Sequence, residues 1–118
     1  MFVQEQRIPE PLEWDGSDTG CFHVLALLDD GRAVGTGRLQ PDGRVGRMAV
    51  LAEWRGRGIG RAILEHLQLC ACRRRLAAVY LHAQAGTEGF YRQAGFSARG
   101  KAFTEAGILH VEMVKRLD

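Results

Sequence analysis

The sequence predicts a single α/β domain of the mixed-sheet (α+β) kind: an antiparallel meander, a strand-helix-strand crossover, a short helix and a closing pair of strands. Three observations predict it. Short apolar runs are separated by the turn signals Asp30-Gly31 and Pro41-Asp42-Gly43, which is how hairpins read. Ile59, Ile63, Leu64, Leu67, Cys70 and Ala71 recur at helical spacing, with Arg61, Glu65, Gln68 and Arg75 on the opposite face. Between the meander and that helix stands a glycine-rich loop, Arg55-Gly56-Arg57-Gly58-Ile59-Gly60-Arg61. At 118 residues and 13.1 kDa, one core burying roughly 60% to 70% of the unfolded surface is expected without help from metal or disulfides.

Each element follows from local chemistry. Residues 1 to 12 open with what reads as one helical turn, which Pro9 and Pro11 prevent from continuing. Glu13 to Gly20 is rich in turn formers. The carboxylates of Glu13, Asp15 and Asp18 there suit a cation or a basic substrate, or equally a solvated loop that caps its own backbone. Cys21 to Asp29, Ala33 to Gln40 and Arg44 to Leu51 are three strands of a meander, the last feeding the glycine loop. The helix should end near Arg73-Arg74-Arg75, where cations complement the negative end of its dipole. Ala77 to Ala83 is apolar enough for a strand covered on both faces, which implies a right-handed parallel crossover and a mixed sheet. Thr87 to Ala94 reads as a short helix with Thr87 as N-cap and Gly95 just past its end. Phe96 to Phe103 and His110 to Leu117 complete the fold. No internal repeat or linker divides it.

Composition narrows the class. Hydrophobic content of 46% and charged content of 25% are those of a soluble globular domain. A net charge of +2 is too mild to indicate nucleic acid, although a domain binding RNA or DNA through Arg55, Arg57, Arg61 and Arg73 to Arg75 is a distinct third reading. Three cysteines, Cys21, Cys70 and Cys72, make no disulfide framework, and a reducing cytoplasm is expected. Cys70 and Cys72 lie two apart on a helix, hence on different faces, so no metal site is expected. The N-terminus has no apolar signal region, and the longest apolar run, Val24 to Leu28, is too short to span a bilayer, so no membrane partner is expected.

The glycine loop carries the chemistry. Gly56, Gly58 and Gly60 let the backbone turn tightly and aim its NH groups outward at the N-terminus of a helix, while Arg55, Arg57 and Arg61 add charge. An anion, most naturally phosphate, is the expected ligand. Gly60 is followed by Arg61-Ala62, not by the Lys-Ser/Thr of a Walker loop, and the spacing is not the G-x-G-x-x-G of dinucleotide binders. Arg-Gly-Arg-Gly-Ile-Gly resembles instead the R/Q-x-x-G-x-G/A coenzyme A loop of the GNAT N-acetyltransferase superfamily. Further pieces resemble its ElaA-like branch: Phe2-Val3-Gln4-Glu5-Gln6, Glu13-Trp14-Asp15-Gly16-Ser17-Asp18, Gly35-Thr36-Gly37-Arg38-Leu39, Arg47-Met48-Ala49-Val50, Leu81-His82-Ala83-Gln84, Phe90 to Phe96 and Glu105-Ala106-Gly107. The agreement is collinear over nearly the whole chain.

The resemblance implies the GNAT fold and an enzyme that transfers an acetyl group from acetyl-CoA to a primary amine by direct attack. The acceptor would be a small molecule, or a protein lysine. Arg55, Gly56, Arg57, Gly58, Ile59, Gly60 and Arg61 would hold the pyrophosphate. The backbone of Met48, Ala49 and Val50 would carry the pantetheine arm and polarise the carbonyl. Tyr91 matches the family position whose phenol faces the CoA sulfur as general acid; otherwise it is an aromatic that anchors its helix. Glu13, Asp15, His82 and Glu105 would contact the acceptor. The third strand has no Glu where the family's base usually stands, so Glu13, Asp15, His23, His82, Glu105 and His110 all remain open for that role, as does a water chain. The family usually has a first strand and most of a first helix before Phe2-Val3, and this sequence starts after them. An exposed sheet edge at Cys21 to Asp29 is therefore expected, covered by a homodimer or by the N-terminal segment. The same absence motivates an alternative, a non-catalytic acyl-CoA binding or sensing module. Leu109 replaces the proline of the family's Gly-Ile-Pro-His wording.

Overall fold

The computed structural model describes residues 2–7 and 21–117, with side chains from 21 onward. In chain order the elements are β1 (Phe2–Arg7), β2 (Phe22–Leu27), β3 (Ala33–Leu39), β4 (Val45–Val50), a single 3-10 turn (Ala52–Trp54), α1 (Ile59–Arg73), β5 (Ala78–Gln84), α2 (Glu88–Gln93), β6 (Ser97–Glu105) and β7 (Ile108–Arg116). Strands β1 to β4 form one antiparallel sheet in sequence order, and β5, β7 and β6 form a second in that spatial order.

The two sheets are joined by very little. Arg44 and Tyr80 form one isolated parallel bridge, in which the Tyr80 NH donates to the Gly43 carbonyl at 3.0 Å. Beside it the Tyr80 hydroxyl donates to Asp42 at 2.6 Å. The crossover from β4 through α1 to β5 is thus present, but the expected parallel pairing shrinks to this seam. The cause lies in β4. Thr36 and Arg38 on β3 oppose Ala49 and Gly46, so two steps on β3 face three on β4, and Arg47 sits at φ 50 in the resulting bulge. A bulge bends and overtwists its strand, and β4 leaves β5 behind.

Helix α1 covers the first sheet with a continuous apolar stripe. Ile59, Ile63, Leu64, Leu67, Cys70 and Ala71 are buried, as the spacing requires, while Cys72 is exposed. The approach is close because β3 carries glycine at the contact. A Cβ added to Gly37 would lie 2.7 Å from Ile63 Cγ2 and 3.0 Å from Leu67 Cδ1. Helix α1 ends in a left-handed cap in which the Leu76 NH reaches the Ala71 carbonyl at 3.1 Å and the Arg75 NH the Cys72 carbonyl at 3.0 Å. Arg75 holds the left-handed position at φ 60, where glycine is usual, and Arg74 stacks on the Phe22 ring at 4.3 Å.

Three expectations need correction, and a fourth is met in one of its two forms. Phe2–Arg7 is a strand, not a helical turn. It pairs with β2 from Phe2↔Leu27 to Arg7↔Phe22, so the N-terminal segment covers the β2 edge, which is one of the two coverings expected. An open edge offers a ladder of backbone partners, which outweighs a weak local helical preference. Thr87 stands at the start of α2, but its hydroxyl donates back to the Gln84 carbonyl at 2.7 Å and makes no N-cap bond. Finally, β6 and β7 are longer than their apolar runs, because Ala106 (φ 54) and Gly107 (φ 76) close a tight two-residue hairpin. Leu109, lacking proline's restriction, simply continues β7 opposite Thr104.

Candidate active site

Where β4 and β5 part, a cleft of about 630 Å³ opens, lined by β4 from Val45 to Val50, by Leu81, His82 and Gln84 of β5, by Phe90 and Tyr91 of α2, and by His110 of β7. Beyond the seam, the edge of β4 that faces β5 makes no backbone bond to it among the described residues. Its NH and carbonyl groups therefore present hydrogen-bonding capacity to whatever fills the cleft. Met48, Ala49 and Val50 are part of this edge.

Adjoining the cleft is a recess of about 430 Å³ formed by Val50, Trp54, Arg55, Gly56, Gly58, Ile59, Gly60, Arg61 and Phe90. Val50, Arg55, Gly60 and Phe90 line both spaces. Helix α1 starts here with Gly58 at φ 81 as N-cap and no side chain capping it. Any Cβ on Gly56 or Gly58 would meet nothing within 4 Å, so the loop backbone is bare to the recess. A bare helix N-terminus binds anions through unpaired NH groups and the dipole. The three arginines expected here are braced individually. Arg55 Nε donates to the Val50 carbonyl at 3.0 Å, Arg57 lies over the Trp54 ring at 4.6 Å, and Arg61 pairs with Glu65 at 3.2 Å.

Tyr91 is half-buried, edge-on to Phe90 at 5.0 Å and to Phe96 at 6.0 Å. Its hydroxyl makes no hydrogen bond among the described residues. Burial pushes its pKa above the ordinary 10.0, which keeps the phenol protonated at neutral pH. It lines the same cleft as His82 and His110.

His82 and His110 line the cleft, and charged side chains flank His82. His82 Nδ1 stands 3.0 Å from Glu105 Oε2 and 3.1 Å from Arg44 Nη2. Since Arg44 can only donate and Glu105 holds a negative charge, Nδ1–H donating to Glu105 is the consistent assignment, with Arg44 drawn in by the same carboxylate at 3.8 Å. His82 Nε2 faces Glu112 at 3.6 Å, and Glu112 is held by Arg99 at 2.7 Å. The hydrogen bond from His82, helped by Arg44 and His110, holds Glu105 below its usual carboxylate range; Arg99, with His82, does the same for Glu112. His110 donates Nδ1–H to the Ile108 carbonyl at 2.7 Å and lies nearly parallel to Phe103 at 6.0 Å.

The structure therefore brings Met48, Ala49, Val50, Arg55, Gly56, Gly58, Ile59, Gly60, Arg61, Tyr91 and His82 around two adjoining spaces, with Arg57 stacked on Trp54 beside the recess and Glu105 bonded to His82 beside the cleft. Glu13 and Asp15 lie outside the described residues. His23 is on β2, away from the cleft lining. Sequence reasoning missed Phe90, which lines both the cleft and the recess, and Arg44 and Glu112, which flank His82. Only strand register brings those two to His82, and local sequence does not reveal it.

This architecture is shared. The fold is that of the acyl-CoA N-acyltransferases. The crystal structure of ElaA from Escherichia coli superposes with a TM-score of 0.74 at 30% identity, over 86% of this chain and 73% of that one. Aminoglycoside 6'-N-acetyltransferase complexed with coenzyme A has the same fold, with a TM-score of 0.78 over 100% of this chain and 98% of that one, at 15% identity. In sequence, the uncharacterized N-acetyltransferase YjcF of Bacillus subtilis (strain 168) is 31% identical over 119 residues, covering 98% of this chain and 84% of YjcF. The profile of the acetyltransferase (GNAT) domain matches residues 3–117. The chain belongs to the GNAT acetyltransferase family.

Proposed function

We propose that this chain is an N-acetyltransferase that moves an acetyl group from acetyl-CoA to a primary amine by direct attack, without a covalent enzyme intermediate. The observation that carries the reading is the adjacency of two spaces that share Val50, Arg55, Gly60 and Phe90: a recess at the bare N-terminus of α1 and a cleft lined by β4 and Tyr91. A phosphate-bearing thioester needs both, side by side. The loop Arg55 to Arg61 binds the pyrophosphate, and Met48, Ala49 and Val50 offer backbone groups to the amide-rich arm. NH groups on the β4 edge stabilise the oxyanion that forms as the amine attacks. Tyr91, kept protonated by burial, gives its proton to the departing thiolate.

His82 and Glu105 form the wall on which the acceptor rests. The coenzyme A held by the similarly folded aminoglycoside enzyme supports the cofactor assignment. Cys21, Cys70 and Cys72 form no disulfide among the described residues, which suits a reducing cytoplasm.

Thiol release from acetyl-CoA, followed with spermidine, free lysine, an aminoglycoside and a lysine-containing peptide as acceptors, tests the reading. Release with at least one amine is expected. Tight acetyl-CoA binding by calorimetry with no release from any acceptor would favour the non-catalytic binding module instead.

A further inference from the structure

Strand β4, Val-Gly-Arg-Met-Ala-Val, places no carboxylate on the cleft. The cleft nonetheless contains one group in the state a base requires. His110 is only 8% exposed, yet it belongs to the cleft lining. Its Nδ1 lies 2.7 Å from the Ile108 carbonyl, which can only accept, so the proton of the neutral ring resides on Nδ1. Nε2 then carries the lone pair, and no hydrogen bond to it is present among the described residues. The ring plane is held by Phe103, stacked at 6.0 Å with an interplanar angle of 22°. His82 differs: its Nδ1–H donates to Glu105, and its Nε2 faces the Glu112 carboxylate at 3.6 Å.

We infer that His110 is the general base of the reaction, taking the acceptor's proton at Nε2. The inference rests on the acetyl-transfer reading above. The amine nitrogen bonds to the thioester carbonyl carbon and the carbon–sulfur bond breaks. One N–H proton passes to His110 Nε2, and the thiolate takes the Tyr91 proton. Proton return from His110 to the Tyr91 phenolate through solvent restores both groups, so a neutral amine and acetyl-CoA become an amide and free CoA. Among the described residues, the charged and titratable groups that line the cleft with His110 are Arg47 on β4, Arg55 in the glycine loop, His82 on β5 and Tyr91 on α2, with Glu105 on β6 also acting on His110. Glu105 is the anion in this set, and Arg47 and Arg55 are the cations. Phe103 is a positioning residue.

His110→Asn retains an amide donor for the Ile108 carbonyl and so the local fold; His110→Gln is the second variant, should the first fail to fold. With an acceptor that the wild-type protein acetylates, kcat/KM in either variant is expected to fall roughly 10²- to 10⁴-fold, with the acetyl-CoA Kd unchanged. Added imidazole should recover part of the loss, which a merely structural role would not allow. Folded variants within threefold of wild type, or loss that imidazole leaves untouched, would overturn the role of His110 while leaving acetyl transfer intact. Absence of wild-type turnover with every amine would overturn acetyl transfer itself, and the base with it.

Discussion

Replacing Tyr91 by phenylalanine separates chemistry from folding. The ring's edge-on contacts with Phe90 at 5.0 Å and Phe96 at 6.0 Å survive the change. The hydroxyl has no hydrogen-bond partner among the described residues, so no buried group is orphaned and stability should move by less than about 0.5 kcal/mol. What disappears is a proton poised in the cleft. A positioned general acid is worth roughly 10²- to 10⁴-fold, or about 2.7 to 5.4 kcal/mol at 1.36 kcal/mol per decade. The assay is thiol release at saturating acetyl-CoA, beside a urea melt and a calorimetric Kd for CoA. We expect kcat to fall by that factor with the melt and Kd unchanged. Because burial raises the Tyr91 pKa, the wild-type profile should show no alkaline limb from this group below pH 10.0. A Tyr91→Phe variant that keeps wild-type kcat would refute the reasoning, and so would one that loses activity only because it unfolds.

The close contact of β3 with α1 predicts that Gly37→Ala destabilises by about 1 to 3 kcal/mol, since its Cβ would meet Ile63 at 2.7 Å; an unshifted denaturation midpoint would contradict this packing. Arg75→Gly should stabilise by about 1 kcal/mol, because glycine adopts φ 60 without the steric cost an L side chain carries, and a loss of stability would show that the Arg75 side chain matters more than its backbone. Tyr80→Phe removes the hydrogen bond to Asp42 across the seam, at a cost of about 1 kcal/mol at neutral pH. That bond holds Asp42 below 3.8 and raises Tyr80 above 10.0. Its contribution should accordingly be lost as pH falls below 3.8 through the folded Asp42 value, and as pH rises above 10.0 through the folded Tyr80 value. The difference between wild-type and Tyr80→Phe denaturation curves should thus shrink at both extremes, and a difference independent of pH would rule the bond out as its source.

Much of this was legible in the sequence because it is local. The apolar stripe from Ile59 to Ala71 could satisfy only a helix, and the glycine loop before it declared a bare N-terminus. The proposed cofactor end of the site follows from those two facts. The proposed acceptor wall does not. Glu105 reaches His82 because β6 and β5 both pair with β7 in a particular register, and Arg44 joins them from the turn before β4. Register and turn geometry depend on Ala106 accepting a left-handed backbone, which its identity does not announce. The strand Phe2–Arg7 was hidden for a related reason: its ladder is supplied by β2, not by its own residue preferences.

The central claim is that one site both holds acetyl-CoA and hands its acetyl group to an amine. A single-turnover reaction with acetyl-CoA labelled with carbon-13 at the carbonyl, followed by NMR with the panel of amines, tests it most directly. We predict that the thioester signal is lost and an amide carbonyl signal appears in equal amount with free CoA. A thioester signal that persists in the bound cofactor with every amine present would contradict the account.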